Sequence, residues 1–429
     1  MMKKLIPLTM VLFLLIIASV GPIRAQQGIS AFSTANVRFP TELIFNLTAE
    51  STVDITQIFL RYRVNRITTV KVTSVVQPEF DPAPFVETSW TWKMKMMLGS
   101  LPPGAEVQYS WRIQDATGDE LETDWETVQF NDQRYPWDSL TEGEITLFWY
   151  EGGMSFAQVL LDSANEALEI LARDAGVYLE RSVALYIYAN SADLRDAMLY
   201  PQEWVGGIAF PQYGIVAIGV DTSNLAWGKR AIAHELAHLV TYQMTSNPYS
   251  DIPTWLDEGL SLYAEGDLRF DLKSSLDAAI SEDNLISVQS ISSSFPSDTE
   301  EAMLSYAESY SIAELLLRQY DREKMLQLLN VFKQGSSYDD ALLAVYGFDT
   351  AGLDNLWRLS LGLEPRQSPP ATLPQDTATP EPSTGLFGCQ ATSGATSQSN
   401  LIGFAVLGFL LIPGTTEIIR LRAQRGRKR

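Results

Sequence analysis

Two changes of pattern predict a multidomain chain in which an all-β sandwich precedes an α+β domain. From Ile29 to about Asn131, apolar and polar residues alternate in short runs such as TELIFNLTAE, DITQIFLRYRV and EVQYSWRIQDATG. Turn signals like DPAP and LPPG part these runs. After about residue 140, strand-like runs interleave with helix-period runs, beginning at EITLFWYEG. With the apolar and low-complexity ends set aside, about 340 residues remain, enough for two domains of ordinary size.

The ends set the expected compartment. Met1 to Ala25 has Lys3 and Lys4, an apolar run through VLFLLIIA, Pro22 and a small residue at Ala25. That order predicts a secretory signal peptide over 1–25. Residues 363–400, with RQSPPATLPQDTATPEPSTG at their start, are rich in Pro, Thr and Ser and predict an extended stalk. A marginal apolar run over 401–419 follows, interrupted by Pro413 and Glu417, and reads as a transmembrane helix. The 420–429 tail carries Arg420, Arg422, Arg425, Arg427, Lys428 and Arg429, the basic flank expected on the cytoplasmic side. The expectation is an exported, single-pass protein at the cell surface or envelope, its body outside and its C-terminus cytoplasmic. A C-terminal sorting signal is the alternative for the last segment.

A net charge of −21, which already includes that basic tail, argues against nucleic acid as a partner. Cys389 is the only cysteine, so no internal disulfide supports the fold. No phosphate-binding glycine signature is present.

Residues 27–138 predict an antiparallel sandwich of roughly seven strands, immunoglobulin- or fibronectin-like. Its Trp90, Trp92, Trp111 and Trp125 read as core and strand packing, and the module as a spacer or binding domain. Residues 141–362 predict the second domain. A strand at EITLFWYEG leads to a long amphipathic helix over about Ser155 to Asp174, with Val159, Leu160, Ala164, Ala167, Leu168 and Leu171 at helical spacing. SVALYIYAN is the next strand, and GGIAF with GIVAIGV reads as a pair joined by PQYG. Asp221, Ser223 and Asn224 are cap-type residues ahead of another helix. From about Asp271 to Gly362 the pattern is largely helical.

That second helix carries AIAHELAHLV, residues 231–240, which holds both histidines of the chain. Residues i and i+4 stand on one helix face, so His234 and His238 can share a metal ion. Two imidazoles suit zinc, and a catalytic zinc site needs a third protein ligand and a position left for water. Glu235, one residue round from His234, is placed as a general base.

Downstream, TWLDEGLSLYAEG runs from Thr254 to Gly266. With this segment the chain resembles the gluzincin zinc metallopeptidases, and more closely the peptidase MA-like metallohydrolases. Their pattern is HExxH, about twenty residues, then W-L-x-E-G; here nineteen residues separate His238 from Glu258 in Trp255-Leu256-Asp257-Glu258-Gly259. The resemblance implies one zinc ion held by His234, His238 and Glu258, with Glu235 polarising the attacking water. It also implies a peptide or protein substrate.

Rival roles stay open at several positions. Asp257 points about 100° away from Glu258 on a helix, so one of the two is expected to face the histidines. Glu265 is either a carboxylate orienting a ligand histidine or a solvated helix end. Relatives place an acidic residue four positions after the ligand glutamate, where this chain has Leu262. They also use a later Tyr or His as oxyanion donor, and with no later histidine the candidates are Tyr306 and Tyr310. Either GGIAF or GIVAIGV is the edge strand along which such enzymes hold an extended substrate. The functional expectation is a membrane-anchored extracytoplasmic zinc metallopeptidase, more an endopeptidase than an aminopeptidase because no G-x-M-x-N-type segment is evident. The alternative is an inactive envelope binding or scaffold protein that keeps the fold.

Overall fold

The computed structural model describes residues 28–366 apart from 68–70, 96–99 and 200–205. The expected signal peptide, most of the stalk, the transmembrane helix, the basic tail and Cys389 lie outside the described residues. Among the described residues no helix is long and apolar enough to cross a membrane.

The N-terminal domain has seven strands: β1 (Ser30–Arg38), β2 (Glu42–Val64), β3 (Ser74–Val76), β4 (Ala83–Lys93), β5 (Ala105–Asp115), β6 (Glu120–Glu122) and β7 (Glu126–Phe130). TELIFNLTAE and DITQIFLRYRV are not separate strands, because the backbone stays extended between them and β2 is 23 residues long. Its first half pairs with β1 and β4, and its second half with β3 and β5. The register slips between Glu50 and Ile55, where β2 turns the corner from one half to the other. The halves face each other: Phe45 meets Tyr109 at 5.0 Å between ring centroids, and Tyr62 meets Trp90 at 5.4 Å. The result is one hydrogen-bonded sheet of seven strands folded on itself. Trp111 is fully buried in this core and Trp90 and Trp92 pack against it. Trp125 lies under the guanidinium groups of Arg61 and Arg63.

The second domain opens with a five-stranded sheet in the order β11-β12-β10-β9-β8. Here β8 is Asp138–Glu142, β9 Ile145–Trp149, β10 Val183–Tyr188, β11 Gly207–Phe210 and β12 Ile215–Gly219. The three central strands are parallel, and β8 and β11 are antiparallel at the two edges. GGIAF therefore supplies the edge strand, while GIVAIGV is paired on both sides. Helix α1 (Gly153–Asp174) joins β9 to β10, and α2 (Ser191–Asp196) follows β10. Alternation then sorts the side chains of the sheet. Leu147, Leu185, Ile187, Val216 and Ile218 enter the core shared with the helices, and Phe148, Tyr186, Tyr188, Ile215 and Ala217 face the other way, toward the N-terminal domain.

Helix α3 (Leu225–Thr245) is the centre of the molecule, and its residues Ala231 to Thr241 are all buried. A helix apolar on every side needs neighbours on every side. It has them in α1, β11, β12, α4 (Thr254–Ala264) and α7 (Arg322–Lys333). Asp221 does cap, but it caps the short 3-10 turn Thr222–Asn224, and Asn224 makes no side-chain cap to α3. The remaining helices are α5 (Phe270–Glu282), α6 (Thr299–Gln319), α8 (Tyr338–Tyr346) and α9 (Thr350–Ser360), matching the expected helical run. Asp298, Asp321, Ser337 and Asp349 accept backbone N–H bonds at the starts of α6, α7, α8 and α9.

The contact between α4 and α6 explains the glycine of the WLDEG segment. A Cβ on Gly259 would lie 2.4 Å from the Ser309 carbonyl oxygen and 2.8 Å from the Ala313 Cβ. Only glycine lets these two helices meet at that point, and the meeting fixes Glu258, its neighbour in sequence.

Candidate metal centre

Helices α3 and α4 bring His234, His238 and Glu258 together. Each is buried, and one ligand atom from each lies within 4.8 Å of the others. Glu258 Oε2 stands 3.4 Å from His234 Nε2 and 3.7 Å from His238 Nε2. Tetrahedral zinc with bonds of about 2.0–2.1 Å would set ligand atoms about 3.3–3.5 Å apart, so the spacing fits.

The outer partners turn both imidazoles the same way. His234 Nδ1 bonds Glu265 Oε1 at 2.7 Å, and His238 Nδ1 lies 3.0 Å from Asp257 Oδ2 and 3.1 Å from Ser261 Oγ. Ser261 Oγ donates to the Asp257 carbonyl, so its lone pair is left to accept from His238. With Nδ1–H donating, each Nε2 lone pair points to the shared centre, the tautomer a metal ligand requires. Glu265 is therefore a bonded, buried carboxylate and not a solvated helix end. Its other oxygen sits 3.6 Å from Arg230 Nη1, one turn before His234 on α3.

Asp257 corrects an expectation. Helical geometry does separate it from Glu258, yet both carboxylates reach His238, because they meet opposite ends of one ring. Ser261 was not among the residues singled out from the sequence. Its only signal is that it lies four residues after Asp257 on the same face of α4.

The centre demands positive charge. Burial pushes His234 down, but bonding to Glu258 and Glu265 outweighs it and raises the group to about 10. Burial likewise opposes, and Asp257 with Glu258 overcomes, a rise at His238. His238 Nε2 and Glu258 Oε2 are buried with no hydrogen bond among the described residues. Two imidazole nitrogens and a carboxylate oxygen converging on one point are a donor set suited to zinc.

Glu235 is fully buried beside this set, and the polar group that reaches it, the Ala209 backbone of edge strand β11, falls short of a full hydrogen bond. Burial pushes its carboxyl up to about 7, against the pull of the two histidines. Edge strand β11 passes directly over it: a Cβ on Gly207 would lie 2.9 Å from Glu235 Oε1. A Cβ on the preceding Gly206 would meet Trp227 instead, at 2.8 Å.

The two tyrosines separate. Tyr306 on α6 is raised well above the ordinary phenol range by burial and by the charges of Glu258, Glu235 and Asp257, which places it beside the carboxylates of the centre. Its ring meets Phe295 edge-on at 5.0 Å. Tyr310, one turn later, donates its hydroxyl to Glu314 at 3.1 Å and stacks with Tyr263.

Comparison with known proteins adds the family. The sequence profile of the Peptidase MA superfamily matches residues 163–362, which contain every residue of the centre. No curated protein matches the chain. Among solved structures, the M1 zinc metallopeptidase of Deinococcus radiodurans is 16% identical, with 82% of this chain and 96% of that one covered at a TM-score of 0.35. A mutant of it bound to a Tyr-Ser-Ala substrate is 14% identical over 82% and 97%, at 0.36. Aminopeptidase A of Legionella pneumophila, bound to aspartic acid, is 11% identical over 76% of this chain and 47% of its own, at 0.35. The family match and the geometry agree: residues 163–362 match the Peptidase MA superfamily and hold a HExxH-to-glutamate centre of the gluzincin type.

Proposed function

We propose that the chain is a zinc-dependent endopeptidase, with His234, His238 and Glu258 holding one zinc ion. The observation that carries this reading is the buried convergence of those three donors next to a buried Glu235. Zinc held there supplies Lewis acidity, making water a nucleophile near neutral pH and polarising the scissile carbonyl. Glu235 takes the proton of the attacking water and returns it to the leaving amine. Glu265, Asp257 and Ser261 hold the two imidazoles in register through their Nδ1 atoms.

Tyr306 is the oxyanion donor in this scheme. Partly buried and held well above the ordinary phenol range, it keeps its proton across the working range and can donate it as a hydrogen bond where negative charge develops. Tyr306→Phe is expected to lower kcat by roughly 10²–10³ with KM and zinc content little changed. An unchanged kcat would remove Tyr306 from the reaction.

The endopeptidase reading rests on β11. An extended peptide added to this edge would run past Glu235, and Gly-Ile-Ala-Phe offers no ionisable side chain to anchor a free α-amino group. Placement outside the membrane is proposed from the terminal segments 1–25 and 401–429.

The test measures zinc per chain, then cleavage of a peptide library in free and N-acetylated forms. Stoichiometric zinc with both forms cut is the expected result. Cleavage of free N-termini alone would make the enzyme an aminopeptidase, and zinc with no cleavage would leave a scaffold that keeps the fold.

A further inference from the structure

We infer that the cleft between the two domains is a binding site for a neutral oligosaccharide. It has a volume of about 640 Å³, within the range of about 300–1,000 Å³ of small-molecule sites. It is separate from the metal centre, since its sheet residues Phe148, Ala184 and Tyr186 lie on the face of the five-stranded sheet turned away from α3.

The chemistry of the lining selects the ligand. Trp137, Phe148, Tyr186 and Tyr213 give it aromatic surface, and Asn65, Gln129, Asn131 and Gln133 give it four carboxamides. Among the described residues no lysine or arginine lines it, and Glu106 adds a carboxylate, so phosphate and carboxylate ligands have no counter-charge. Asp132 is buried and already held by Arg134 at 2.6 Å and by the Tyr188 hydroxyl at 3.2 Å. Asn131 Nδ2 donates to Gln129 Oε1 at 3.3 Å, and an apolar ligand would strand the remaining donors and acceptors of the four carboxamides. A ligand with hydroxyls round its rim and C–H faces on its rings satisfies both halves of the lining, and sugars have that form.

Tyr186, 7% exposed, brings its hydroxyl up to Gly104, which also lines the cleft. A peptide is the weaker fit. Strands β9 and β10, which floor the cleft, are paired on both sides and offer no free backbone ladder.

The experiment passes the full-length chain over an array of neutral hexose, N-acetylhexosamine and deoxyhexose oligosaccharides. The tightest binder is then titrated while tryptophan fluorescence is followed, since Trp137 borders the cleft. Gln129→Ala combined with Asn131→Ala, both at the cleft rim, should weaken binding at least tenfold and leave the melting temperature unchanged. Phe148→Ala should do the same through lost stacking, with peptide cleavage as the check that it folds. No binding anywhere on the array overturns the inference. So does binding that survives both variants, or displacement of the sugar by an uncharged, end-blocked peptide.

Discussion

Glu235→Gln is expected to lower kcat by roughly 10²–10⁴ while the protein keeps its zinc. The amide preserves the shape of the side chain but cannot take a proton, and Glu235 is not one of the three converging donors. KM should move little, because β11 and its contact with residue 235 are unaltered. The wild-type pH profile of kcat/KM should have an acidic limb belonging to this carboxyl. Burial lifts the carboxyl to about 7 in the metal-free chain, and the charge of a bound metal lowers it, so the limb falls below pH 7 in the loaded enzyme. In the glutamine variant that limb should vanish from the residual rate. A stability measurement gives a second, independent check. An ionised carboxylate with no full hydrogen bond is costly to bury, and glutamine removes the charge. The sign follows from the raised group: the penalty begins as pH passes the unfolded value near 4.5, grows to about 7 and is constant above. Metal-free Glu235→Gln should therefore gain stability over the wild type as pH rises from 4.5 to 7. Loss of zinc, or a stability gain that is the same at pH 4 and pH 8, would contradict this assignment.

The part of the molecule that could be read directly was the part whose signals are local. Histidines four apart with a glutamate between them specify a helix face, and α3 presents that face as the spacing requires. The cap at Asp221 is likewise local, because a cap needs only its own next three residues. What escaped depends on partners distant in the chain. The period-two runs of the N-terminal domain mark strands, but nothing within them tells that residues 51–54 continue extended and fuse two strands into β2. That fact resides in pairing with β4 on one side and β5 on the other. Asp257 failed for a different reason. Reasoning by helical angle treats a neighbour as a point, whereas an imidazole has two ends about a ring apart, so residues on divergent bearings can both reach it. Glu265 could not be decided at all from position, since only the proximity of His234 to the end of α4 makes it a buried partner. The domain crevice has no signature in the sequence, its lining being gathered from 65 to 215.

Glu265→Gln should weaken zinc binding roughly 10–100-fold, the usual effect of losing the group that orients a ligand histidine. The carboxylate accepts from His234 Nδ1 at 2.7 Å, and that bond both fixes the ring and makes Nε2 a better donor. Glutamine can present its amide nitrogen instead, which would drive the proton to Nε2 and turn the lone pair away from the centre. Arg230 favours that flip, because its guanidinium, 3.6 Å from the other oxygen, needs an acceptor there and so leaves the amide nitrogen toward His234. Glu265→Gln should accordingly lose at least as much affinity as Glu265→Leu, and Arg230→Met combined with Glu265→Gln should recover part of the loss. Proton release is the accompanying readout. In the metal-free chain His234 is held protonated by Glu258 and Glu265, so zinc uptake at pH 7 must expel at least one proton, and affinity must rise with pH. Removing the charge of residue 265 weakens that hold, and less proton should leave per zinc bound. Calorimetry in two buffers of different ionisation enthalpy measures both quantities at once. Equal zinc affinity in wild type and Glu265→Leu would show that α3 and α4 alone fix His234, and the outer carboxylate would then have no part in building the centre.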